Sequence, residues 1–140
     1  MENIAIIGAG AWGTALAMVA RRAGRNVVLQ AHEPEVAAAI NGSHENSLFL
    51  PGMALDPEIR ATNDPAEAVV DADAVLLAVP TQFLRAVLTG LLGYLPSAAP
   101  VVICAKGIEQ GTLALMSEIC EEVVPQAPVA VMSGPTFAAE

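Results

Sequence analysis

The stretch Ile4-Ala5-Ile6-Ile7-Gly8-Ala9-Gly10-Ala11-Trp12-Gly13 decides how the chain is read. A short run rich in β-branched residues ends in Gly-Ala-Gly-Ala-Trp-Gly, and a helix-forming segment, Thr14 to Ala23, follows at once. The pattern G-x-G-x-x-G is weak by itself; between a strand and a helix each glycine acquires a task. Gly8 permits the tight turn out of the strand, Gly10 lets a pyrophosphate approach the backbone, and Gly13 lets the helix pack close to the strand. The N–H groups that open the helix, at the positive end of its dipole, then hold the anion. The plainer alternative is a glycine-rich turn in an ordinary α/β domain; the strand–turn–helix context favours a dinucleotide site.

Outward from that turn, strand and helix patterns alternate. Residues 3 to 8 form an apolar first strand, as expected of a strand buried on both faces. The helix from about Ala11 to Ala23 stops at Gly24, after two arginines suited to the negative end of its dipole. Residues 27–31 make a second strand, and Pro34 opens a helix at about Glu35 to Ile40. Asn41 to Pro57, rich in Asn, Gly, Ser and Pro, is expected to be a long loop, hence functional or mobile. A minor third strand at 59–62 precedes Asn63-Asp64-Pro65, which caps a helix running to about Val70. Strands at 74–79, 101–105 and 129–132 follow, with helices at 82–92 and 113–124 between them. Such alternation predicts an α/β fold: a doubly wound parallel sheet of the Rossmann type, helices on both faces, in the order 3-2-1-4-5-6. No internal repeat or low-complexity tract interrupts it.

The 140 residues fit one domain with a sizeable core. Fifteen acids against six lysines and arginines leave no basic cluster able to neutralise a phosphodiester backbone, so neither nucleic acid nor an anionic membrane surface is expected as a partner. The uncharged stretch from Ile4 to Ala20 has no basic residue before it, is interrupted by glycines and falls short of a full span; the glycine fingerprint explains it better than a signal peptide or an anchor. No membrane insertion and a cytoplasmic location are expected. Cys104 and Cys120, each inside an apolar segment, read as buried reduced thiols. No metal-ligand spacing exists, His32 and His44 being isolated, so no metal is expected.

In a doubly wound sheet the segments after the fourth, fifth and sixth strands lie on the same edge as the glycine turn. They read Val79-Pro80-Thr81-Gln82, Ala105-Lys106-Gly107-Ile108-Glu109 and Ser133-Gly134-Pro135-Thr136-Phe137. Lys106 and Arg85 are the only cationic residues beyond Arg60. A lone cation at a parallel strand's carboxyl end binds a phosphate or polarises a carbonyl oxygen; the alternative is a solvated surface lysine. Gly134 and Thr136 offer a close backbone approach and a hydroxyl, unless they are a simple proline turn. Cofactor choice stays open. Where an acidic residue is expected to accept from the ribose 2′-hydroxyl, the chain has Gln30-Ala31-His32-Glu33. Glu33 suits NAD, or merely caps the following helix, whereas His32 suits a 2′-phosphate.

With these residues in place, the chain resembles the amino-terminal domain of bacterial NAD(P)-dependent sn-glycerol-3-phosphate dehydrogenases over all 140 residues. The marks are residues 8–15, Asn46 with Phe49-Leu50-Pro51-Gly52, Val79-Pro80, Lys106-Gly107-Ile108-Glu109, and 133–138 with Glu140. The resemblance implies hydride transfer between NAD(P)H and dihydroxyacetone phosphate or sn-glycerol 3-phosphate, feeding glycerophospholipid synthesis. It implies that Ala11, Trp12, His32 and Ala138 line the cofactor site beside Gly8, Gly10, Gly13, Glu33 and Pro80. Lys106 would touch both cofactor and substrate, and Gly134 and Thr136 would hold the phosphorylated substrate. Ala11 stands where the family often has serine, and His32 where it often has arginine. The family's catalytic lysine lies in a helical second domain that would follow Glu140. Residues 1–140 are therefore expected to be a dinucleotide-binding domain without catalytic residues, inactive alone, with exposed apolar surface; the full-length enzyme is expected to be a homodimer. Two other readings are weighed. Another hydroxyacid or sugar dehydrogenase, such as a ketopantoate reductase or UDP-glucose dehydrogenase relative, would share this half, but the motifs at Lys106 and 133–137 argue against it. A non-catalytic NAD(P) sensor would need only the glycine turn and ribose contacts.

Overall fold

The computed structural model describes residues 1–133. Its main sheet is six parallel strands: β1 (Asn3–Ile7), β2 (Asn26–Gln30), β5 (Arg60–Thr62), β6 (Ala74–Leu77), β7 (Val101–Ile103) and β8 (Val129–Val131). They stand in the order β5-β2-β1-β6-β7-β8, which is the expected 3-2-1-4-5-6. The switch point falls between β1 and β6, where Ile4 to Ile7 pair with Ala74 to Leu77.

Side-chain alternation along β1 explains why both faces are covered. Ala5 and Ile7 point into one core with Val75, Leu77, Val101 and Ile103. Helices α3 (Pro65–Val69), α4 (Thr81–Gly90) and α5 (Met116–Val123) close that face through Val69, Leu84, Leu88, Ile119 and Cys120. Ile4 and Ile6 point into the other core with Val27 and Leu29, beneath α1 (Ala11–Arg22) and α2 (Pro34–Ser43), which contribute Leu16, Ala17, Val36 and Ile40. The helices therefore lie on both faces, as the sequence predicts.

Helix ends follow the sequence closely. Gly24 N–H donates to Arg21 O and Arg25 N–H to Ala20 O, the paired bonds of a Schellman stop. Asp64 caps α3 by accepting from Ala66 N–H at 2.9 Å. Two expectations need correction. The segment 41–57 is not a structureless loop: α2 runs on to Ser43, His44 turns left-handed (φ 55°), and β3 (Glu45–Asn46) pairs antiparallel with β4 (Leu50–Ala54). Its turn residues mark a hairpin, with Asn46 buried at its base. The helix expected at 113–124 begins only at Met116. Leu113 has a positive φ of 60°, and Leu115 is extended and bridges back to Ile108, so these residues close a loop before the helix starts.

Candidate functional site

The turn between β1 and α1 is packed on one side and open on the other. Gly8 has φ +106°, and a Cβ there would stand 2.8 Å from Ala78 O. At Gly13 a Cβ would lie 1.8 Å from Gly8 O, so the first turn of α1 rests directly on the turn that precedes it. A Cβ at Gly10 would meet no heavy atom within 4 Å. Gly10 is also the N-cap residue; no side chain caps α1, and its first turn holds no acidic residue. The arrangement presents uncapped N–H groups and a positive dipole end to open space, which is the donor set an anionic pyrophosphate needs.

Neighbouring segments hold this turn in shape. Asn46, 1 % exposed, donates from Nδ2 to Ala9 O and to Thr14 Oγ1, both at 2.8 Å. Trp12, 55 % exposed, leans across the edge and donates from its indole N–H to Cys104 O at 2.8 Å. His32 and Glu33 follow β2 on the same carboxyl edge, His32 exposed and Glu33 half-buried. Glu33 occupies the N-cap position of α2, yet its side chain makes no capping bond; its backbone carbonyl accepts from Val36 N–H instead. Capping by that carboxylate is thereby removed as its explanation.

Pro80 and Lys106 stand across the switch point, after β6 and β7. Pro80 is the N-cap residue of α4. Thr81, buried at the start of that helix, donates to Lys106 O at 3.0 Å. Gly107 follows with φ +145°, and a Cβ there would come within 2.5 Å of Thr81 Oγ1, so no larger residue fits beside the threonine. Farther along, Glu109 is 8 % exposed and receives the Arg85 guanidinium in a fork, Nε and Nη2 each within 3.1 Å, plus the Thr112 hydroxyl at 2.6 Å. Arg85 also reaches Glu122 at 2.7 Å. The bonds from Arg85 and then Thr112 hold the Glu109 carboxyl below the usual glutamate range, while Glu109 and Glu122 raise the Arg85 guanidinium. The result is a braced loop that carries an exposed Lys106. Burial pushes the Cys104 thiol up to about 11, so it stays protonated and unreactive.

The structure thus brings Gly8, Gly10, Ala11, Trp12, Gly13, His32, Glu33, Pro80 and Lys106 to one edge of one sheet. Gly134, Thr136 and Ala138 lie outside the described residues. The sequence showed no task for Asn46, Thr81, Arg85 or Glu109, because each acts on residues 24 to 37 positions away. Nothing in their immediate sequence neighbourhoods pointed to those distant partners. Among the described residues no group of His, Cys, Asp and Glu side chains could hold a metal ion. Nor is any helix of these residues long and apolar enough to cross a membrane.

Residues 3–140 match the family model described as the N-terminus of NAD-dependent glycerol-3-phosphate dehydrogenase. The chain is 60 % identical over 140 residues to a glycerol-3-phosphate dehydrogenase (NAD(P)+) of Rhodospirillum rubrum, covering all of this chain and 40 % of the relative. It is 55 % identical to the Caulobacter vibrioides protein of the same name, covering 99 % and 42 %. Among solved structures, glycerol-3-phosphate dehydrogenase from Coxiella burnetii superposes with a TM-score of 0.89 at 30 % identity, over 99 % of this chain and 42 % of that one. The chain spans about two-fifths of the length of these relatives. By fold, by the built glycine turn and by these matches, the chain belongs to the NAD-dependent glycerol-3-phosphate dehydrogenase family and corresponds to its N-terminal, cofactor-binding domain.

Proposed function

We propose that residues 1–140 form the cofactor-binding half of an oxidoreductase that moves a hydride between NAD(P)H and dihydroxyacetone phosphate or sn-glycerol 3-phosphate. In that role it would work in the cytoplasm, in glycerophospholipid synthesis, as part of a homodimer. The observation that carries the reading is the half-packed turn: three glycines, two welded against backbone and the third facing open space at the switch point. The uncapped N–H groups after Gly10 would hold the pyrophosphate, and Ala11 and Trp12 would border it. His32 and Glu33 would reach the adenosine ribose. When bound, the nicotinamide supplies the hydride that adds to the substrate's carbonyl carbon. Lys106, exposed on a braced loop, brings positive charge to the edge where a phosphate or carbonyl oxygen would sit. Gly134 and Thr136 would complete the hold on the phosphate.

Hydride addition leaves an alkoxide that takes up a proton, and the proton donor is proposed to lie in a helical domain following these residues. Two measurements test the proposal. Titration of the chain with NADH and NADPH should quench Trp12, the only tryptophan, in a saturable way, and Gly10→Val should abolish the quench by filling the open side of the turn. Folded chain that shows no quench and no binding by any other readout overturns the cofactor assignment. Oxidation of NADH dependent on dihydroxyacetone phosphate by residues 1–140 alone would overturn the placement of the proton donor elsewhere.

A further inference from the structure

Among the described residues Asn46 is the most deeply buried polar side chain outside the main sheet and its helices, and it touches the phosphate turn from behind. Its amide orientation is forced. Phe49 N–H, an obligate donor, lies 3.2 Å from Oδ1; Ala9 O, an obligate acceptor, lies 2.8 Å from Nδ2. The second hydrogen on Nδ2 goes to Thr14 Oγ1, which itself donates to Ala9 O at 3.4 Å. Two donors thus converge on one carbonyl, and that carbonyl belongs to the peptide joining Ala9 to Gly10.

A trans peptide points its C=O and its N–H in opposite directions, and no cis peptide occurs among the described residues. A carbonyl fixed inward therefore fixes the next N–H outward. We infer that Asn46 is a positioning residue of the cofactor site: by clamping Ala9 O it aims the Gly10 N–H at the open space where a dinucleotide's pyrophosphate binds. The inference rests on the dinucleotide reading proposed above. Without the clamp only the longer bond from Thr14 Oγ1, at 3.4 Å, still holds Ala9 O, and Gly10, lacking a Cβ, lets the Ala9–Gly10 peptide flip more readily. A flipped peptide turns a carbonyl oxygen toward the phosphate and repels it. The same amide ties the turn to the hairpin: Oδ1 holds Phe49 N–H, so the shape of the 46–50 turn and that of the phosphate turn are set by one side chain.

The test is an amide-resolved NMR titration of the chain with NADH, carried to millimolar cofactor, on wild type and on Asn46→Leu. Leucine keeps the approximate volume and removes the donor without adding charge. In wild type the Gly10 amide should be among the most strongly shifted resonances. In Asn46→Leu the NADH Kd should rise at least tenfold and the Gly10 shift should collapse, while core amides such as Val27 and Leu84 keep their positions. A merely structural role would move the core amides and the unfolding midpoint instead. Wild-type binding that leaves the Gly10 amide in place overturns the inference whether or not the variant folds. So does a folded Asn46→Leu that binds NADH within twofold of wild type. Failure of folded wild type to bind either cofactor overturns the dinucleotide reading, and the inference with it.

Discussion

Two strand-to-helix crossings on the same sheet edge are built in opposite ways. After β1 the chain needs only three residues, Gly8 to Gly10, before α1 begins at Ala11. After β7 it takes twelve, Cys104 to Leu115, before α5 begins at Met116. The short crossing presents backbone: its close fit comes from missing side chains, Gly8 N–H donates back to Gln30 O, and the uncapped N–H groups that open α1 face outward. The long crossing presents a side chain, and it is held by added ones: Thr81 on Lys106 O, Gln82 on Ile108 O, Arg85 on Glu109. An anion that must lie flat along a dipole end suits the first. A cation that must stand at one point suits the second.

The largest effect that would break this contrast lies in the short crossing. Gly13→Ala places a methyl 1.8 Å from Gly8 O, a backbone atom that has no room to retreat. Overpacking of that kind should cost about 3 kcal/mol or more, a sizeable fraction of a typical domain's stability, read as a lower urea midpoint. Gly10→Ala, three residues earlier, meets nothing within 4 Å and should stay within about 1 kcal/mol of wild type. Equal losses at the two positions would mean that the turn is uniformly tight, and the open side of the site would vanish.

That same contrast explains what was legible beforehand. Absent side chains leave a local signature: Gly8, Gly10 and Gly13 fall within six residues and can be read in order. Strand order was legible too, because short strand-like runs alternating with helical segments admit few topologies. The hairpin at 45–54 was not, since Leu-Pro-Gly-Met-Ala carries little strand propensity. It forms against a base set by Asn46, whose partners Ala9 and Thr14 lie more than thirty residues back. The bracing of the long crossing was equally hidden. Arg85 and Glu109 are ordinary charges in sequence, and only the packing of α4 beside the loop makes them a pair. The late start of α5 has the same origin, with Leu113 and Leu115 drawn into closing that loop.

A smaller effect isolates the long crossing through pH. Glu109 is held below the usual glutamate range in the folded chain, chiefly by Arg85. A lowered folded-state value means the native state binds protons less readily than the unfolded one. The contribution is therefore complete above the ordinary glutamate value and is lost as pH falls through the lowered one. Thermal unfolding followed from pH 7 down to pH 3 should show Glu109→Gln below wild type at neutral pH and converging on it in acid. A constant gap at all pH values would show that the loop is held by packing and not by the charge pair.

The smallest effect probes whether the two crossings are independent, for one bond joins them. Trp12, at the start of α1, donates to Cys104 O, two residues before the carbonyl that Thr81 holds. Each bond is a neutral, part-buried hydrogen bond, so Trp12→Phe and Thr81→Val should each cost about 1 kcal/mol. Both act on one three-residue segment, 104–106, whose far end carries Lys106. Groups that share a segment couple, and the double variant should depart from additivity by about 0.5 kcal/mol or more in circular-dichroism unfolding. Strict additivity would mean that the backbone after β7 is rigid without either bond. In that case Lys106 is placed by the sheet with the Gln82 and Arg85 braces, and cofactor contacts at Trp12 have no mechanical route to it. Measured coupling would instead make the tryptophan a strut between the side that binds by backbone and the side that binds by charge.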